Sequence, residues 1–218
     1  AEASLFNQAI GNWDVSKVTN MSFMFSEASS FNQPLSDWNV GNVTDMSYMF
    51  YHALAFDQAI GNWDVSKVTT MKNMFATYDS SGSIFNQDLG NWNVGNVTDM
   101  SHMFSDAKLF NQAIGKWNVS KVTDMSFMFH RALAFNGSIG DWDVQNVANM
   151  SNMFKVAKSF NQPIGEWNVS KVINMHEMFA GAPLFDQPIG AWDVSSVTDM
   201  GSMFNYSYYP SIFNQPIG

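Results

Sequence analysis

The sequence predicts an α/β solenoid, each coil of about 25 residues carrying one short parallel strand and one short helix or 3-10 turn. Two observations predict it. First, the stretch FNQAIGNWDVSKVTNMSFMF at Phe6–Phe25 returns in near copies beginning at Phe31, Phe56, Phe85, Phe110, Phe135, Phe160 and Phe185, and a further copy opens at Phe213. Self-similarity at a period of roughly 20 to 50 residues is the mark of a solenoid, a propeller or an array. Second, every one of the 8 Trp and 16 Met falls on a fixed position of the repeat, so the apolar letters form a stacking code.

The elements follow from the spacing inside one coil. Trp13 and Val15 are two residues apart, and strand side chains alternate with period two, so they share a face of a short strand. Val18, Met21, Met24 and Phe25 follow at helical spacing, predicting a turn or two of helix. Thr19 and its equivalents stand where a side-chain oxygen would cap that helix. A single coil buries too little apolar surface to offset the entropy of ordering its backbone, so stacked neighbours must supply the rest. Asn7 and its equivalents, with Gln8 beside them, are predicted to stack as a polar ladder.

The organisation is a single repeat array over residues 1–218. It has a partial coil at 1–5, eight coils starting at 6, 31, 56, 85, 110, 135, 160 and 185, and a partial coil at 213–218. Because both termini read as broken repeats, the chain is expected to be a fragment of a longer array. Two coils exceed 25 residues, and both insertions follow the Met-Phe pair, at Ala76–Ile84 and Asn205–Ile212. Insertions on one corner of a solenoid map to loops that often serve binding.

Composition excludes several functions. The chain carries a formal charge of −9 and no basic patch, which argues against nucleic acid. There is no Cys, hence no disulfide, thiolate nucleophile or Cys-based zinc site. No apolar run is long enough to insert in a membrane. The motifs of hydrolases, P-loops and zincins do not occur. The thioether column fits core packing better than a soft-metal site. The column Asp14, Asn39, Asp64, Asn93 fits relief of like-charge repulsion better than calcium binding. The four His occupy different repeat positions and read as ordinary surface residues. The chain is therefore expected to be no enzyme, with no catalytic residue, metal or cofactor.

Trp13–Phe25 (WDVSKVTNMSFMF) and Phe160–Gly165 (FNQPIG) resemble the BspA-like leucine-rich-repeat surface proteins, a repeat class also found in mycoplasma surface lipoproteins. The resemblance covers essentially the whole chain. It implies a right-handed, leucine-rich-repeat-like coil, an extracellular or cell-surface location, and adhesive or structural work such as a rigid stalk or filament. It brings no catalytic residues.

Variation between coils marks the candidate contacts, because positions free to vary are expected to be exposed. One column gives Phe23, Tyr48, His102 and Phe127; the column before Trp gives Asn12, Asp37, Lys116, Asp141 and Glu166. The insertions add Tyr78 and Asp79, then Tyr206, Tyr208 and Tyr209. Asn205 is the most accessible of eight N-x-[ST] sequons and the candidate glycosylation site. The partner is expected to be a protein, by self-association or on a host surface. The alternative is a discrete recognition module that binds a host protein or a glycan on the strand face.

Overall fold

A computed structural model describes residues 3–206 and 211–217. Among these residues there is no helix and no strand longer than one residue, which overturns the α/β solenoid. The chain is a stack of coils built from turns, joined by parallel single-residue bridges that run Asn20–Asp45–Thr70–Asp99–Asp124–Asn149–Asn174–Asp199.

The predicted strand fails because its amides are spent locally. Trp13 N–H donates to Ile10 and Val18 N–H to Val15, so turns bracket the Trp-Val segment before it can pair. The predicted helix fails for a different reason. Phe23 and Glu27 have φ of 59° and 62°, left-handed values that no α-helix contains. Around them, amides alternate between two destinations. Met24, Ser26 and Ala28 donate three residues back, to Met21, Phe23 and Phe25. Met21, Phe23, Phe25 and Glu27 donate to the next coil, at Asp45, Ser47, Met49 and Tyr51. This alternation satisfies the backbone as fully as a helix would, and it adds four bonds across each coil interface. Apolar residues at a spacing of three look helical in sequence, yet here they mark successive turns.

Side chains complete the register. At every step the amide of one ladder residue donates to the preceding ladder oxygen, from Asn32 N–H on Asn7 Oδ1 at 3.0 Å to Asn214 N–H on Asp186 Oδ1 at 3.0 Å. Gln33, Gln58, Gln112, Gln162, Gln187 and Gln215 donate Nε2 to the same oxygens at 2.9–3.0 Å. Asp57 and Asp186 serve as well as Asn because the ladder uses only the acceptor. Thr44 caps no helix; its hydroxyl donates to the Thr19 carbonyl of the coil before it at 3.1 Å. Each Asx residue after Trp accepts the amide two positions on, as Asp14 does from Ser16 at 3.0 Å. The alternation of Lys and Asn has a cause too. Asn42 donates to Ser16 O and accepts from Lys67 Nζ at 2.7 Å, so an amide between ammonium groups serves both neighbours.

The core runs along the stack. Phe104, Phe129 and Phe154 lie 5.8 Å apart, and each stacks on the Phe that opens the following coil, Phe110, Phe135 or Phe160, at 3.8–3.9 Å. Met100, Met125 and Met150 are fully buried beside them. Each indole from Trp38 to Trp192 reaches back to a buried carbonyl, as Trp117 Nε1 does to Leu89 O at 3.0 Å. Coils pass so closely that a Cβ at Gly115 would lie 2.4 Å from the Ser138 carbonyl.

Candidate functional site: the groove at the first insertion

The column predicted as a contact face is left-handed in every coil: Phe23, Tyr48, Asn73, His102, Phe127, Asn152, Glu177 and Ser202 all have φ between 52° and 59°. A second such column holds Glu27, His52, Asp106, Arg131 and Val156. Bulky residues avoid this region at a cost of about 1 kcal/mol or more each, so the coil geometry and their mutual contacts hold them there. Phe23 stacks on Tyr48 at 4.5 Å and His102 on Phe127 at 4.4 Å, with rings within 7° of parallel.

The first insertion turns this corrugated face into a groove. Thr77 N–H donates to Ser105 O and Ser83 N–H to Asp106 O, which lays the extra residues against the following coil. Gly82, at φ 78°, closes the turn begun at Asp79, and Lys108 Nζ donates to Ser80 O. Tyr78 is left standing: one face lies on His52 at 4.1 Å, and the residue is still 65% exposed. Between this wall and the opposite one, formed by Phe127, His130 and Arg131, lies a groove of about 480 Å³. Its floor is polar, with Asn73, Thr77, Ser105 and Asp106 nearly buried.

Two coils meet in the charge of that floor. Arg131 Nε donates to Asp106 Oδ1 at 2.7 Å, the arginine half exposed and the carboxylate almost wholly covered. Burial pushes the Asp106 pKa up, more than the Arg131 cation draws it down. His130 Nδ1 sits 3.2 Å from Ser105 Oγ and 3.8 Å from Asp106 Oδ2. Burial, reinforced by Lys155 and Arg131, lowers the His130 pKa to about 4, so the imidazole is neutral near pH 7. Burial also lowers His102, with Lys72 adding to it.

Of the predicted contact residues, the groove gathers His102, Phe127 and Tyr78. Asp79 lies in the same insertion, its carboxylate accepting from the Ser81 hydroxyl and amide, which lowers its pKa. Phe23 and Tyr48 belong to the same aromatic run, since Tyr48 meets Tyr51 edge-on at 5.4 Å and Tyr51 lines the groove. The column is less uniform than expected, because Asn73 and Asn152 are buried. Asn12, Asp37, Lys116, Asp141 and Glu166 are exposed on a different face. Lys116 and Asp141 share a shallow polar basin of about 400 Å³ with Asp88 and Asn91, and no strand face exists there. Asn205 is exposed and Tyr206 half-buried, while Tyr208 and Tyr209 lie outside the described residues.

Sequence reasoning missed Asp106 and Arg131, took His130 for an ordinary surface residue, and had Asn73 only as a position of the variable column, expected to be exposed. The signal was present for two of them: Asp106 and Arg131 are one 25-residue period apart, which makes opposite charges neighbours in any stacked array. Among the described residues no three His, Asp or Glu converge as a metal site requires.

A model of Mycoplasma proteins of unknown function, DUF285, matches residues 1–84, 77–184 and 132–218, which together span the chain. The chain belongs to the DUF285 family. Neither a curated protein nor a solved structure matches it. The DUF285 matches support the tandem repeat and its mycoplasma association; the leucine-rich-repeat part of the resemblance finds no support in them or in the turn-built coils. No helix among the described residues of this DUF285 array is long and apolar enough to cross a membrane.

Proposed function

We propose that this DUF285 array is a non-enzymatic, cell-surface or extracellular adhesive protein, a stiff repeat support that presents the insertion groove to a partner. The groove carries the reading. It occurs where one coil departs from 25 residues, and it combines an exposed Tyr wall with a charged, nearly buried floor. Chemistry is disfavoured by the geometry of its most reactive-looking trio. Ser105 and Asp106 both approach Nδ1 of His130, whereas a relay through the ring needs the hydroxyl and the carboxylate on opposite nitrogens.

Beads coated with the array, allowed to settle on cultured epithelial cells under flow, test the proposal. Attachment should saturate, compete with the free array, and fall with Tyr78→Ala and Arg131→Ala but not with Asn12→Ala. Equal attachment by all variants would overturn it.

A further inference from the structure

We infer that the groove binds a neutral carbohydrate, a short run of hexopyranose units, with the Tyr78 ring as platform, the Asn73 and Asp106 side chains in its polar floor and the Arg131 guanidinium on its wall. The inference rests on the adhesive reading above and names the class of its ligand. A sugar ring presents apolar C–H bonds on one face and hydroxyls around its edge. Hydroxyls both donate and accept, so they need a floor that mixes the two. Asp106 Oδ2 offers an acceptor, the terminal nitrogens of Arg131 offer donors, and the Asn73 amide offers both, all within one groove. The volume of about 480 Å³ lies within the range of small-ligand sites.

Other ligand classes fit less well. An extended peptide added as a strand needs free backbone amides, and here they are taken: Asn73 N–H goes to Ser101, His102 to Ser126, Asp106 to His130 and Arg131 to Lys155. A polyanion meets the Asp106 carboxylate and a chain of net charge −9. A polycation meets Arg131, half exposed at the rim.

Calorimetric titration of the whole array with maltopentaose, cellopentaose and mannopentaose, against oligogalacturonate and pentalysine, tests the inference. At least one neutral pentasaccharide should bind with a Kd of about 1 mM or tighter, and the two charged probes should not. Tyr78→Ala should weaken that binding about tenfold and Tyr78→Phe, which keeps the ring, less than about threefold. Arg131→Met should weaken it by about tenfold as well. Unchanged thermal melting would show that each variant is folded. No neutral binding at about 10 mM, preference for a charged probe, or binding indifferent to Tyr78→Ala would overturn the inference. If the pentasaccharides bind while bead attachment ignores the groove variants, the adhesive reading fails and the sugar site stands. If none binds while the variants abolish attachment, the sugar assignment fails and the adhesive contact stands.

Discussion

His130 is held neutral where Ser105, Asp106, Lys155 and Arg131 converge, and its folded pKa of about 4 lies below the ordinary 6.5. Between those values the unfolded chain binds a proton that the folded chain refuses. Stability is therefore fully present above about pH 6.5 and is lost as pH falls toward 4, by up to roughly 3 kcal/mol. Asp106, raised above 3.8, works in the opposite sense and offsets part of this. Melting curves between pH 7 and 4 should show His130→Gln with a shallower slope than the wild type, His102 and the lowered carboxylates keeping the remainder; a slope unchanged by the substitution would place the sensitivity elsewhere. The same scale explains why sequence missed the residue. Burial of His130 depends on the coil before and the coil after, and neither is visible in its local neighbours.

At the scale of the coil, the apolar positions were legible and their backbone was not. Trp38, Val40, Met46, Met49 and Phe50 are all buried, as their fixed spacing requires, and the Asn ladder forms at the predicted positions. A spacing of three fits a helix or a string of turns, and only the left-handed residues decide between them. Those residues include Phe23, Tyr48 and Phe127, bulky types whose propensity argues against such a conformation, and in their column only Asn73, Asn152 and His102 are types that adopt it readily. Ring stacking makes the coil interface the unit of stability. Phe129 touches Phe104 and Phe154 across two interfaces, at 5.8 Å each, and Phe135, which opens the following coil, at 3.9 Å. Phe129→Ala should cost about 3 to 5 kcal/mol, with hydrogen exchange rising first in the adjoining coils, as nearest-neighbour coupling demands. Loss of protection spread evenly along the array would contradict that coupling.

For the whole array, support and site are separable. The insertion donates through the Thr77 and Ser83 amides, and its tip accepts from Lys108 at the Ser80 carbonyl, while the core beneath continues through Phe75, Phe85 and Met103 without interruption. Excising Asp79–Gly82 restores a 25-residue coil, so the array should melt within a few degrees of the parent while oligosaccharide titration and bead attachment both fail. A large drop in melting temperature would show that the insertion is part of the structural register. The place of the groove was readable from the interval between repeats; of its chemistry only the Asp106–Arg131 pair was, through its 25-residue offset, while the burial of His130 and Asn73 arises only when coils are stacked.

The alternating amides of Met21, Phe23, Phe25 and Glu27 carry one last consequence. At each interface these four N–H groups point toward the following coil, and their carbonyl acceptors point back. The amides of Asn32 and Thr44 run the other way, to Asn7 Oδ1 and Thr19 O, so each coil presents a different set of donors and acceptors to its two neighbours. A coil turned over would set carbonyl against carbonyl, which fixes the sense in which coils can be joined.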